Sequence, residues 1–180
     1  MSDYPLYTLN FATRRDMPPA MQAILTALSA GERPAEADLA TLPEVVSMYL
    51  GRPAAPAHFS AGLMNLRFSR LEIDWRDEAP GDATHLLHLE QRFHDDEYAS
   101  AGVYFINWMF QFAAGNGHLA TEISESSPLP TIYTRQGREI LVTSLNFPQS
   151  GANPVTVGET YRYEIASAVQ GAIDWTDDWG

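Results

Sequence analysis

The sequence predicts an α+β fold in which a mostly antiparallel sheet packs against two or three helices. Segments with apolar residues at every second position recur along the chain, and amphipathic or fully apolar helical segments lie between them. Of the 180 residues, 45% are hydrophobic, enough to fill the core of one domain. We predict a single domain over residues 1–180, in which the halves 1–62 and 63–168 can share one core as two strand-helix units, followed by an acidic and aromatic tail at 169–180.

The first half predicts one strand and two helices. Residues 6–11, LYTLNF, alternate as a half-buried strand does. Two consecutive prolines then suit the first turn of a helix, whose apolar stripe ends before Gly31. Residues 37–49 predict a second short helix, which Pro43 starts or breaks. The stretch at 51–62 is rich in proline, glycine and alanine and predicts a linker or a binding loop.

The second half predicts more strands around one helix. The apolar alternation over 66–75 slips by one residue near Ser69, which predicts a β-bulge there. Residues 85–93 alternate as a strand with one solvated face, and 101–115 predict a helix that is apolar on nearly every side. Four later strands are predicted in the segments HLATEIS, TIYTR, EILVTSL and TYRYEIA, of which the second and third form a hairpin.

The apolar helix has two interpretations. In the first, it is covered by the sheet and by the first helix, and Asn107 and Gln111 mark a narrow exposed or hydrogen-bonded edge. In the second, Tyr104, Trp108 and Phe112, which are spaced by four residues, line a pocket or a partner groove. The sequence favours the core interpretation and leaves the pocket open.

Charge and composition exclude several classes of function. Acidic residues number 23 against 11 basic ones, all of them arginine, and the net charge of −12 repels phosphate backbones, so we predict no direct contact with nucleic acid. The absence of cysteine and lysine excludes disulfides, thiolate catalysis, Cys-ligated zinc and Schiff-base chemistry. The N-terminal residues lack the pattern of a secretory signal, so we predict a cytoplasmic protein. The apolar helix is shorter than the roughly 20 residues of a membrane span, so we predict no association with a membrane.

Metal-ligating side chains are concentrated in one predicted strand. His88, Glu90 and His94 lie on its polar face, and imidazole and carboxylate groups suit zinc or a related ion. The fixed positive charge of Arg92 among them opposes a cation. The sequence therefore favours a solvated strand face, and we predict neither a metal nor a cofactor.

Carboxylates for acid and base catalysis can be drawn from Glu72, Asp74, Glu122 and Glu125, because such catalysis needs only a carboxylate with a shifted pKa in a cleft. Carboxylates on outward strand faces are usually solvated, so we assign no catalytic residue. The sequence contains no nucleophile elbow, Gly-rich phosphate loop, H-E-x-x-H helix or EF-hand loop.

The tail combines large aromatic side chains with negative charge. This combination suits a site for a cationic partner, because rigid aromatic anchors supply contact area and carboxylates supply complementary charge. A tail folded back so that its tryptophans cap the sheet is the competing interpretation. The predicted partner-binding residues are Asp174, Trp175, Asp177, Asp178 and Trp179.

The segments YTLNFATRRDMPPAMQAILTALSAGE, LEQRFHDDEYASAGVYFINWM and LATEISESSPLPTIYTRQGREI resemble a group of uncharacterised bacterial proteins in which strand-helix units are followed by a hairpin. The resemblance implies an α+β architecture and no assigned activity. In its small size, acidity and lack of cysteine, the chain is also similar in character to immunity proteins and to inhibitors that occlude the basic active sites of nucleic-acid enzymes.

Three functional hypotheses follow. The first is a non-enzymatic cytoplasmic binding protein, an acidic inhibitor or immunity-type protein that occludes a basic protein partner. The second is a small-molecule-binding protein or a hydrolase with a cleft beside the apolar helix, using His88, Glu90, His94 or Glu122 as polar groups. The third is a homodimeric interaction module formed through an exposed sheet edge or through the aromatic face of the helix.

Overall fold

The computed structural model describes residues 4–50, 65–71, 81–93, 102–124, 129–146 and 156–169. Within them it contains seven strands and five helices, and the sheet dominates. The strands are β1 (Leu6–Arg14), β2 (Asn65–Arg70), β3 (Ala83–Arg92), β4 (Gly117–Ile123), β5 (Thr131–Gln136), β6 (Glu139–Asn146) and β7 (Thr156–Glu164). The helices are α1 (Pro19–Ser29), α2 (Glu36–Leu39), α3 (Glu44–Leu50), α4 (Val103–Phe110) and α5 (Ile165–Val169). The predicted α+β class is confirmed.

All seven strands form one sheet in the order β2-β3-β1-β4-β5-β6-β7, and every neighbouring pair is antiparallel. The first strand of the chain therefore lies inside the sheet, between β3 and β4. The hairpin of β5 and β6 is confirmed, and Gly137 in its turn has a φ of 66°, a conformation that glycine adopts without steric cost.

The strands present alternate side chains to two environments. In β1, Tyr7, Leu9 and Phe11 are buried, whereas Thr8 is partly exposed and Asn10 is exposed. The buried side chains belong to the same core as those of the helices. We call this the core-facing side of the sheet and the other the open side. The alternation predicted this strand correctly, and the strand continues beyond the predicted residues to Arg14.

Helix α1 and the short helices after it follow the sequence closely. The buried residues of α1 are Met21, Ile24, Leu25 and Leu28. The chain leaves α1 at Gly31, which has a φ of 73°. Pro43 breaks the second predicted helix into α2 and α3, because proline lacks the N–H that a continuous helix requires. Its carbonyl accepts the N–H of Ser47 at 2.9 Å, which starts α3.

The bulge predicted near Ser69 is not observed. Strand β2 pairs with β3 in an unbroken register from Asn65 to Arg70 and then ends. Leu71 leaves the strand and is buried, with its N–H donating to the carbonyl of Thr84 at 2.9 Å. The predicted bulge was expected to return the apolar residues after Ser69 to the core. The end of β2 does this for Leu71 without a bulge. The residues that follow, and the predicted linker at 51–62, lie outside the described chain.

The apolar helix α4 is shorter than the predicted 101–115 and lies in the core. Seven of its eight residues are buried, which explains why it is apolar on nearly every side. It ends at Phe110 because the chain turns to meet β1, where Ala113 bridges Thr13 and the N–H of Ala114 donates to the carbonyl of Ala12 at 2.7 Å. Among the described helices, none is long and apolar enough to cross a bilayer.

Candidate functional site

A line of polar side chains crosses five strands on the core-facing side of the sheet. Its members are direct cross-strand neighbours, one each on β3, β1, β4, β5 and β6. It lies at the end of the sheet where β1 and β5 begin and where β3, β4 and β6 end. We call this set the polar row: Gln91, Tyr7, Glu122, Thr131 and Ser144.

The neighbouring line of side chains on the same five strands is apolar. It consists of Leu89, Leu9, Ala120, Tyr133 and Val142, all of which are buried. The core-facing side therefore changes from apolar to polar within two residues along each strand. Polar groups on such a surface need hydrogen bonds from the protein, from water or from a ligand, because burying them without partners costs free energy.

Glu122 provides the negative charge of the polar row. The Tyr133 hydroxyl donates to Glu122 Oε2 at 2.7 Å, and this hydrogen bond is charge-assisted. Glu122 is partly exposed and Tyr133 is buried, so the carboxylate lies at the boundary between the core and solvent. In the next two strands, Thr131 Oγ1 and Ser144 Oγ are 3.5 Å apart.

Gln91 holds a buried acceptor at the β3 end of the polar row. Its side chain is fully buried, and Nε2 donates to the carbonyl of Arg92. Its Oε1 is also buried and has no hydrogen-bond partner within the part of the chain that the structure describes. A buried amide oxygen without a partner costs about 1–3 kcal/mol. A ligand that donates to this atom would remove that cost.

Aromatic rings surround the centre of the polar row. The ring centroids of Tyr7 and Phe93 are 5.6 Å apart in an edge-on arrangement, and those of Tyr7 and Tyr133 are 6.3 Å apart. Phe110, from α4, lies 6.0 Å from the Tyr133 ring. The polar row therefore borders an aromatic part of the core, in which all four of these rings are buried.

Positive charge is held at the opposite end of the core-facing side. The Arg135 Nη1 donates to the carbonyl of Ala113 just after α4, and the Arg14 guanidinium carbon lies 5.8 Å from the centre of the Phe112 ring. Burial lowers the pKa of Arg135, and the charge of Arg14 lowers it further. Along β5, Arg135 is about 13 Å from Thr131, at roughly 3.3 Å per residue. Arg135 therefore binds the chain just after α4 rather than the polar row, and Arg14 Nε lies 2.9 Å from Asp16 Oδ1.

The residues predicted to form a pocket on the apolar helix lie in different environments. Trp108 and Phe112 are buried with ring centroids 5.9 Å apart, while Tyr104 and Gln111 are partly exposed. Asn107 is 1% exposed, so it marks a hydrogen-bonded rather than an exposed edge. The polar row contains none of these five residues. Their role in a pocket or partner groove stays a prediction.

Two of the three predicted metal-ligand residues, His88 and Glu90, lie on the open side of the sheet. His88 Nε2 and Glu90 Oε1 are 3.7 Å apart, and Arg92, on the same face, donates from Nη1 to the carbonyl of Tyr4 at 2.9 Å. His94 lies outside the described residues. Within the described ranges, no three side chains among His, Asp and Glu come together as metal ligands would.

Sequence reasoning found one member of the polar row and missed the others. Glu122 was among the carboxylates considered for acid and base chemistry, whereas Glu72, Asp74 and Glu125 lie outside the described residues. Gln91 could have been found from the sequence. It follows Leu87 and Leu89 at a position where the alternation predicts an apolar residue. The predicted tail residues also lie outside the described chain.

The polar row contains acceptors at an amide oxygen and a carboxylate, and hydroxyl groups that can donate or accept hydrogen bonds. Groups of these kinds orient small polar molecules in protein binding sites. In comparisons with protein-family models, with curated proteins and with solved structures, nothing matches this chain.

Proposed function

We propose that the chain is a binding protein for a small polar molecule that contacts the polar row. One observation carries the proposal: next to a line of buried apolar side chains, the core-facing side of the sheet ends in five adjacent polar side chains that include the buried Oε1 of Gln91. Adjacent strands are about 4.8 Å apart, so the row presents groups at a spacing that one small molecule can bridge.

Two threonine variants on opposite sides of the sheet test this proposal. Thr131 belongs to the polar row, and Thr143, on the adjacent strand, lies on the open side. We expect fragments from a small-molecule library to shift the amide NMR signals of Glu122, Thr131 and Ser144. Thr131→Val should weaken this binding about five-fold, because one hydrogen bond contributes roughly 1 kcal/mol, and Thr143→Val should leave it unchanged. Equal affinities in both variants, or shifts confined to the open side, would contradict the proposal.

A basic protein partner is the second candidate. It is supported by the net charge of −12 and by exposed carboxylates near α2 and α3, namely those of Glu32, Glu36 and Glu44. In this proposal the tail at 174–180 adds the aromatic anchors, as an acidic inhibitor or immunity-type protein requires. The acidic surface steers a basic partner at low salt and loses this effect as salt screens the charges.

Affinity capture of the tagged protein from its native lysate tests the second candidate. A basic protein should be retained in stoichiometric amount at low salt and lost at high salt, and deletion of residues 174–180 should weaken the complex. Neutralising the surface with Glu36→Gln and Glu44→Gln should weaken it further. A captured protein that binds with the same affinity at low and high salt would exclude this mechanism.

A further inference from the structure

We infer that the side chains of Arg14 and Arg135 form a binding site for a small oxyanion, a phosphate or carboxylate group that accepts hydrogen bonds from both guanidinium groups. The site lies at the end of the sheet where β1 and β5 end, opposite to the polar row, and it does not depend on the proposed function. The inference follows from the position, the charge, the free donors and the exposure of the two arginines.

The two arginines flank one short segment of backbone, residues 112–114, which follows α4. On one side, the N–H of Arg14 donates to the carbonyl of Phe112 at 2.8 Å, and its guanidinium carbon lies 5.8 Å from the centre of that ring. On the other side, Arg135 Nη1 donates to the carbonyl of Ala113. Burial lowers the pKa of Arg135, and the charge of Arg14 lowers it further because the two guanidinium groups lie near each other.

The protein compensates the positive charge of this pair only in part. Asp16 Oδ1 lies 2.9 Å from Arg14 Nε. Within the described ranges, no carboxylate forms an ion pair with Arg135, whose Nε donates to the carbonyl of Gly137 at 2.9 Å instead. Two guanidinium groups and one carboxylate leave a local positive charge in a chain whose net charge is −12. A bound anion would relieve the repulsion between the two arginines, which is stronger where the groups are partly buried.

Both side chains keep N–H donors for an anion. A guanidinium group carries five N–H donors in a planar fork that matches the oxygens of phosphate and carboxylate. Arg135 donates to backbone carbonyls from Nε and Nη1, and its Nη2 has no protein acceptor in the part of the chain that the structure describes. The Nη1 and Nη2 groups of Arg14 likewise have no acceptor among the described residues. An oxyanion can therefore accept from both side chains without displacing a backbone hydrogen bond.

The site is open to solvent, so an ion can reach it without a buried cavity. The side chain of Arg14 is 34% exposed, and Arg135 is partly exposed. Residues 115–116, which follow the flanked segment, and residues 136–138 of the β5–β6 turn are exposed as well. The exposed Arg138 in this turn adds positive charge at the same end of the sheet and favours the approach of an anion.

Titration with sodium phosphate, sodium acetate and sodium chloride at the same ionic strength and pH tests the inference. The readouts are the NMR signals of the Nε–H groups of Arg14 and Arg135 and the backbone amide signals of Ala113 and Gly137. Phosphate or acetate should shift these signals to saturation and bind at least ten-fold more tightly than chloride. The tighter of the two identifies the oxyanion that the site prefers.

Three variants locate the binding site. Arg135→Gln should weaken oxyanion binding ten-fold or more, because it removes a charge and the free Nη2 donors. Asp16→Asn should strengthen binding about three-fold, because it removes the carboxylate that competes for Arg14. A purely structural role of the arginines would not produce this increase. The matched control Arg162→Gln, which removes an arginine paired with Glu139 at 3.5 Å on the other side of the sheet, should leave binding unchanged.

Two results would overturn the inference. The first is a response to phosphate and acetate no larger than that to chloride, or equally large at Arg162, which would mean an adventitious ion only. The second is unchanged affinity in Arg135→Gln. If this variant fails to fold without its bond to Ala113, Arg14→Gln takes its place and should weaken binding to the same extent. These results leave the proposed function untouched, because Thr131 of the polar row is about 13 Å from Arg135 along β5.

Discussion

Replacing Phe110 by alanine should lower the free energy of unfolding by about 3–5 kcal/mol, the range for large aromatic residues removed from a core. Phe110 is fully buried in α4, and its ring lies 6.2 Å from that of Phe11 and 6.0 Å from that of Tyr133. The variant loses the transfer free energy of the ring and leaves a cavity between the helix and the sheet. Urea denaturation followed by circular dichroism measures the change.

Tyr161→Ala is the matched control for Phe110→Ala. Its ring is also aromatic and lies on the sheet, but it is 43% exposed, so its removal should cost about 1 kcal/mol or less. Equal losses in the two variants would mean that α4 does not pack on β1 and β5 as described. Because Phe110 also contacts the ring of Tyr133, Phe110→Ala should weaken ligand binding at the polar row as a secondary effect.

Local patterns predicted the elements whose structure depends mainly on their own residues. The alternation of β1, the apolar stripe of α1 and the break at Pro43 are all visible in a window of about ten residues. The burial of α4 could also be predicted, because a helix that is apolar on every side has no solvated face. In each case burial of the side chains reinforces the local preference.

The ends of elements and the site depend on distant residues and could not be predicted in the same way. Helix α4 stops at Phe110 because Ala113 and Ala114 bond to β1, about 100 residues earlier in the chain. The polar row requires β1 to lie between β3 and β4, which no single segment reveals. The sequence shows that Gln91 interrupts an apolar alternation, but only the register shows that Tyr7 and Glu122 lie beside it.

Asn107→Asp should destabilise the protein by about 2–4 kcal/mol at pH 7, although the two side chains have nearly the same shape. Asn107 is 1% exposed. Its Nδ2 donates to the carbonyl of Val103 at 2.9 Å, and its Oδ1 accepts from the Tyr163 hydroxyl at 2.8 Å. The substitution removes the donor, brings a carboxylate oxygen towards the Val103 carbonyl and buries a negative charge. The neutral amide can therefore donate within α4 and accept from β7 at the same time, whereas a charged carboxylate can only accept.

The loss of stability in Asn107→Asp should depend on pH with a defined sign. Burial raises the pKa of the introduced carboxyl above its unfolded value of about 3.9, so the charge penalty is absent below that pH and grows as the pH rises towards the folded pKa. Urea midpoints relative to the wild type should therefore differ less at pH 4 than at pH 7. Gln111→Glu makes the same chemical change one turn later at a partly exposed position, and it should cost no more than about 0.5 kcal/mol. A variant Asn107→Asp as stable as the wild type at pH 7 would show that this part of α4 is solvated, and would remove the physical reason for an uncharged amide between α4 and β7.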